Sequence, residues 1–248
     1  MKFGDYTNLG KSYAESRPGY SSKILDLLIH KKNINFLDVG AGTGIWTKIV
    51  HDYGVKKIYA IEPNGDMRKN GIKYTENTSI KWIEGYAEKI DLKSNSFDYI
   101  SMASSLHWTK LDLALREFHR LLKKNGTFIA LWNPRIIERG SFQDKVEKYL
   151  KSLKTIKRKS SGLSGITNSL FETLNNSKYF QDCIYLESIH EIKMNKKRYL
   201  KVWKSVNDVR VSLGQEKFLK LLKYIDQNFP KGKLNCKYLT RVWIVKKK

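Results

Sequence analysis

Three glycines spaced two apart, Gly40, Gly42 and Gly44, follow a short apolar run that ends in Asp38-Val39. A glycine turn between a strand and a helix lets a ligand lie against bare backbone, near the positive end of the helix. The spacing decides which ligand. A dinucleotide site needs G-x-G-x-x-G, and the third glycine of that pattern would fall on Ile45. Here the spacing is G-x-G-x-G, with an acid two residues upstream. A dinucleotide phosphate is hard to place beside Asp38. Glu62 stands 18 residues after Gly44, at the end of the next apolar run. A carboxylate there can accept hydrogen bonds from both hydroxyls of a ribose.

Alternating strands and helices must hold this turn. Ile34 to Val39 reads as a nearly all-apolar strand, the pattern of a strand buried on both faces. Helix Gly44–Tyr53 follows, then strand Lys57–Glu62, helix Asn64–Asn70, and strands Ser79–Glu84 and Phe97–Ala103. Leu111, Leu115, Phe118 and Leu122 recur at helical spacing over Leu111–Lys123, before a fifth strand at Thr127–Trp132. Ahead of them, Tyr6–Ser16 reads as a short helix broken by Arg17-Pro18-Gly19-Tyr20, with a second helix capped at Ser21 or Ser22. The alternation implies an α/β, Rossmann-like parallel sheet wound on both faces. Beyond Pro134 the regularity changes. Ser141–Leu153, Lys196–Val209 and Gln215–Phe229 read as helices, Lys157–Asn168 as a mobile loop, and Phe180–Ile192 and Tyr238–Val245 as late strands.

At the glycine turn the sequence resembles the class I S-adenosylmethionine-dependent methyltransferases, matching their D-x-G-x-G-T-G in full from Asp38 to Gly44. Gly85-Tyr86-Ala87-Glu88 resembles the family's G-x-A-E, and Phe97-Asp98-Tyr99-Ile100 its fourth strand. Ser105-Leu106-His107-Trp108 is similar to the A-x-H-W stretch of the type-11, trans-aconitate methyltransferase-like subgroup. The run from Glu117 to Gly126 resembles that subgroup's E-x-x-R-V-L-K-P-G-G, with Lys124 and Asn125 in place of Pro and Gly. Leu131-Trp132-Asn133 matches the usual end of strand five, and Tyr13 with Arg17-Pro18-Gly19-Tyr20 the N-terminal Y-x-x-x-R-P-x-Y. The similarity covers residues 6–135 well and 136–248 only in layout.

The resemblance implies a seven-stranded sheet with its last strand antiparallel, and S-adenosyl-L-methionine as cofactor with S-adenosylhomocysteine as product. It gives Gly40, Ala41, Gly42 and Gly44 to the cofactor's backbone cradle and Asp38 to the neighbourhood of its amino group. Glu62, with Pro63 beside it, binds the ribose. Met67 offers an apolar contact to adenine, where a core methionine is the competing reading. Ala87 and Glu88 flank the adenine edge, and Ser104 the amino-acid moiety. Tyr13 and Arg17 close over the cofactor, Arg17 as a partner for its carboxylate or simply as a helix-end surface residue. The reaction needs orientation, desolvation and, for a protonated acceptor, removal of a proton. His107 is the candidate base; the alternative is a packing pair with Trp108.

The chain has 248 residues, 41% hydrophobic and 12% aromatic, which excludes a wholly disordered protein. Mean hydropathy is −0.51. No apolar run reaches the length of a membrane span, and the first residues show no secretory signal, so the expected location is cytoplasmic. Cys183 and Cys236 lack metal-ligand spacing, and no metal is expected. Lys plus Arg number 47 against 24 acids, a formal +23. Residues 1–130 carry 20 bases and 14 acids, and residues 131–248 carry 27 and 10. Composition bias toward Lys and Asn explains much of this. A functional reading is one domain over 1–248 in which 134–178 and 193–229 cap the pocket and select a small anionic metabolite. Tyr13, Trp108, Trp132 and Trp203 then wall the acceptor, and Arg135, Arg139, Arg198 and Arg210 are the candidate clamps. The alternative partner is nucleic acid, docked on the Lys-rich C-terminal half, although no N-P-P-Y-like base-flipping tetrad follows strand four. A cofactor-binding protein without catalysis is the minor alternative.

Overall fold

A computed structural model describes residues 9–156 and 165–248. The first strand, β1 (Asn35–Val39), lies at the centre of a sheet between β2 (Lys57–Ile61) and β4 (Phe97–Ala103), parallel to both. Its side chains alternate between two cores, as the two-residue repeat of a strand requires. Phe36 enters one cluster, while Leu37 and Val39 enter the other. β5 (Leu122–Trp132) repeats the device, with Phe128, Ala130 and Trp132 on one face and Ile129 and Leu131 on the other. Burial on both faces makes these strands read as continuous apolar runs.

Helices cover both faces. α2 (Lys23–Leu28) and α3 (Ile45–Asp52) bury Leu25 and Trp46 against Phe36. On the other face α5 (Leu111–Leu121) buries Ala114, Leu115, Phe118 and Leu121. Its ends suit the helix dipole, with Asp112 in the first turn and Arg120 in the last. β3 (Lys81–Ile83) closes one edge of the sheet. On the far side lie β8 (Leu234–Lys247), antiparallel to β5, and then β7 (Phe180–Met194), antiparallel to β8. The two-residue β6 (Arg135–Ile136) pairs with β8 next to β5, and so extends β5 past Pro134. Among the described residues the lanes number seven, with the last strand antiparallel, as expected.

A third core stands at the carboxyl ends of the parallel strands. α6 (Phe142–Leu153), α8 (Lys196–Lys204) and α9 (Asn207–Asn228) contribute Val146, Trp203 and Leu221 to it, and the start of β8 adds Tyr238. Ser141 caps α6 by accepting from Asp144 N at 3.1 Å. α9 breaks at Gly214 (φ 73°, ψ 168°), a conformation that favours glycine. The expected helices there thus end and restart at different residues. The short α7 (Leu170–Asn175), which helical spacing did not announce, puts Leu170 and Leu174 on the sheet face with Phe128. Residues 165–178 therefore cover the sheet rather than the pocket. The expected loop at Lys157–Asn168 lies outside the described residues up to 164, as does the start of the expected helix at Tyr6. The first helix is described as α1 (Gly10–Ser16), which ties α4 (Gly65–Tyr74) to α8. Among the described residues no helix is long and apolar enough to cross a membrane.

Candidate active site

The glycine turn follows β1 directly. Gly40, Gly42 and Gly44 have φ of 65°, 59° and 76°. A Cβ on Gly40 would sit 2.7 Å from the Ser105 side chain, and one on Gly44 2.9 Å from the Trp82 ring. Gly42 N donates to Glu62 Oε2 at 2.7 Å, and Asn64 N donates to Glu62 Oε1 at 2.9 Å. Burial pushes the Glu62 carboxyl above its ordinary range, and those two amides pull it back. The result is a cavity of about 400 Å³. Gly40, Ala41 and Gly42 form its floor, and Glu62, Pro63 and Met67 one wall. Ala87, Glu88, Ser104 and Trp108 form another, and Tyr13 and Arg17 close it. Ser104 has φ 56°, uncommon for a serine, and is held there by Tyr20 Oη donating to its Oγ at 2.9 Å.

Two expected members lie elsewhere. Asp38 is fully buried beneath the turn and does not line the cavity. It accepts from Thr47 Oγ1 at 2.6 Å and Ser101 Oγ at 2.8 Å, and Trp46 Nε1 donates to the same Ser101 Oγ. Burial raises its pKa to about 7. Asp38 therefore fastens the turn from below, and the expected place beside the cofactor's amino group is not what the geometry gives. Gly44 likewise faces Trp82, where its missing Cβ allows packing rather than ligand approach. Glu88 lines the cavity, but its Oε1 accepts from Lys110 N at 2.7 Å at the start of α5.

A second cavity, of about 550 Å³, shares Tyr13, Arg17, Pro18, Ser104 and Asn133 with the first. His107, Trp132, Arg135 and Trp203 line it, with Asp208 and Tyr238. Both imidazole nitrogens of His107 are buried without a hydrogen-bond partner, and burial lowers its pKa to about 4. The ring leans on Trp108, with centroids 4.6 Å apart. Packing and exposure to the cavity are thus combined in one residue. Arg135 is already committed: it pairs with Glu147 at 2.8 Å and lies 4.8 Å over the Trp203 ring. Arg139 and Arg210 line neither cavity. Arg210 sits 6.0 Å over Phe218, and Arg139 acts on Asp144 at the start of α6. Arg198 donates to Ser16 O at 3.3 Å. The scarcity of arginine pointed to these four residues, but three of them, Arg139, Arg198 and Arg210, line neither cavity.

Residues 37–130 match the type-11 methyltransferase-domain family model. This stretch is a methyltransferase domain. A Dictyostelium discoideum methyltransferase is 36% identical over 136 residues, 53% of this chain and 50% of that protein. An uncharacterized Mycobacterium tuberculosis methyltransferase, Rv3342, is 30% identical over 124 residues, half of each chain. The chain thus spans about half the length of the curated relatives it matches. An Anaeromyxobacter dehalogenans structure, described as a type II methyltransferase, has a TM-score of 0.68 at 16% identity and covers 93% of this chain and 97% of that one. A Haemonchus contortus phosphoethanolamine N-methyltransferase, solved with S-adenosylhomocysteine, gives 0.56 at 14% identity and covers 98% and 59%. These two show the shared fold. The matches do not single out the trans-aconitate subgroup.

S-adenosylmethionine is the cofactor of the methyltransferase domain, and the first cavity fits it. Its volume lies in the range of small-molecule sites. Glu62 keeps acceptor capacity after taking two amides, as a ribose diol requires. Thr43 Oγ1 and Arg17 Nε, both on the cavity wall, are buried without hydrogen-bond partners. Tyr20, Ser105 and Asn133 line the cavities but had no assigned role. The R-P-x-Y stretch held the signal for Tyr20. Asn133 follows the end of strand five and donates to Gly19 O at 2.8 Å.

Proposed function

We propose that this protein is an enzyme that transfers a methyl group from S-adenosylmethionine to a small anionic molecule in the second cavity. The observation that carries the reading is the junction of the two cavities at Tyr13, Arg17, Ser104 and Asn133, just past β4 and β5. When bound, the cofactor supplies a methyl group already activated by the sulfonium. The chain's own residues do the rest. Glu62 and the glycine floor fix the nucleoside. Trp132, Trp203 and Tyr238 wall the acceptor and exclude water, which strengthens any charge pairing inside.

The charge of the second cavity supports an anionic acceptor. Arg135 is neutralised by Glu147, and Asp144 by Lys148 at 2.8 Å. That leaves Arg17, Lys151 and Lys154 against Asp208 among its charged lining residues, a positive balance. Burial lowers the His107 pKa to about 4, so the ring is neutral at physiological pH and can accept a hydrogen bond from a hydroxyl or amine acceptor. The absence of a cation at His107 also spares the site a repulsion with a sulfonium.

The test is incubation with labelled cofactor and a metabolite extract. Label is expected in a small acidic product. Label in macromolecules alone would overturn the reading. Binding of NAD with no calorimetric response to S-adenosylhomocysteine would overturn the cofactor assignment as well. With the acceptor in hand, His107→Phe is expected to lower kcat/KM by about a hundredfold and leave S-adenosylhomocysteine affinity unchanged. An unaltered kcat/KM would leave His107 with packing alone.

A further inference from the structure

The lysines that matter for a second partner are at the opposite end of the sheet from both cavities. A groove of about 510 Å³ opens between the starts of β1, β2, β3 and β4. Lys56, Lys57, Lys81 and Lys93 line it, and no acid does. All four are exposed, and none makes an ion pair among the described residues. Other lysines at this end are committed: Lys123 pairs with Asp98 at 2.9 Å, and Lys247 donates to Asn95 and to Leu122 O.

This clustering has a physical cost. Tyr59 is the register partner of Lys81, and Lys57 lies two residues before Tyr59, so all three share one face. Strand spacing and rise anchor Lys57 and Lys81 within about 8–9 Å. That is inside the screening length of about 10 Å at 0.1 M salt, so the like charges repel unless an anion sits between them. The groove also holds an aromatic surface. The half-buried Tyr59 ring packs edge-on against Phe97 at 5.6 Å, with Lys81 Nζ 5.5 Å from its centroid. A basic concave track with an aromatic ring is how proteins hold single strands without reading sequence. A lipid plane would meet only the rim of such a groove.

We infer that the amino end of the sheet binds the phosphate backbone of single-stranded nucleic acid. β2 runs five residues from Lys57 to Ile61, next to Glu62, so the groove and the cofactor cavity are about 15–20 Å apart. The nucleotides held by the four lysines are docked there and are not themselves the group methylated. The inference therefore stands apart from the proposed reaction.

The experiment is fluorescence anisotropy of a labelled 20-nucleotide single-stranded RNA or DNA with the full chain, over a salt series. Four phosphate contacts predict a log–log salt slope of about −3. Lys56→Glu, Lys57→Glu, Lys81→Glu and Lys93→Glu together should weaken binding at low salt by about tenfold or more. A control set on the cap, Lys145→Glu, Lys197→Glu, Lys204→Glu and Lys223→Glu, makes the same change in net charge. It should weaken binding by less than about threefold. S-adenosylhomocysteine calorimetry on both sets checks that they are folded. Equal losses in the two sets would overturn the inference by making net charge the cause. So would the absence of strand binding, or binding to anionic vesicles or inorganic phosphate with none to the strand.

Discussion

The two cavities are built by different means. The first is made largely of backbone and of residues that follow strand ends within a few positions: Gly40 and Gly42 after β1, Glu62 after β2, Ala87 and Glu88 after β3, Ser104 after β4. The second is made of side chains brought from Tyr13, His107, Trp132, Glu147, Trp203 and Tyr238, across nearly the whole chain. A site made of backbone at strand ends is fixed once the sheet forms. A site made of distant side chains depends on the cap docking correctly, so its parts are coupled to stability. Substitutions in the two should therefore have separable signatures.

The sharpest test of that separation is Arg135→Ala. It removes the 2.8 Å ion pair to Glu147, whose side chain is 17% exposed. Breaking such a pair costs about 3–5 kcal/mol of stability, which urea unfolding would read. Glu147→Ala on top should restore part of it. S-adenosylhomocysteine affinity, measured where the variant is still folded, should change little. Equal falls in stability and affinity would mean that the two regions are one unit.

Next in size is Asp38→Asn, which probes the scaffold under the first cavity. The folded state holds the Asp38 proton up to about pH 7, whereas the unfolded carboxyl releases it near 3.8. The stability that the neutral form contributes is thus complete below pH 3.8 and is lost as pH rises to 7. Asn has no such titration. Its stability relative to the parent should rise across that window by on the order of a few kcal/mol, and level off above pH 7. A gap independent of pH would place the charge elsewhere.

Glu62→Ala comes third, with an expected loss of about 1–3 kcal/mol in S-adenosylhomocysteine binding. Gly42 N and Asn64 N also lose their acceptor, so the turn should loosen, and hydrogen exchange at Gly42 should rise. A binding loss without that loosening would leave the ribose contact as the whole effect.

What could be read in the sequence follows the same division. The strands of the sheet and the first cavity were legible because each depends on local pattern: apolar runs of strand length, glycine spacing, an acid at a strand end; the antiparallel last strand came from the family resemblance. Even there, Asp38 was misplaced. A spacing rule says which residues are neighbours, not whether a side chain points into a cavity or beneath it. The second cavity was legible only as types. Trp132 at the end of β5 and Trp203 on α8 both line the second cavity, each buried as a large aromatic side chain tends to be. The arginines could not be sorted, since an ion pair such as Arg135–Glu147 depends on how α6 docks beside the end of β5. The break at Gly214 and the short α7 escaped for a related reason: one glycine or six residues are too little signal for a periodicity.

The smallest expected effect tests that sorting directly. Arg139 and Arg210 were the natural clamps for an anionic acceptor, because arginine is scarce in this chain and both fall in the basic half. The geometry removes them. Arg210 covers Phe218 on α9, Arg139 precedes α6, and neither borders a cavity. Exposed or cation–π contacts of this kind contribute about 0.5–1 kcal/mol to stability and nothing specific to a transition state. Arg139→Ala and Arg210→Ala should each change kcat/KM by less than about twofold, roughly 0.4 kcal/mol. Arg17→Ala should cost at least about tenfold on the same assay, since its guanidinium stands where the cavities meet. If either outlying arginine cost as much as Arg17, the acceptor would have to reach beyond the second cavity, and the border drawn between the two regions would move with it.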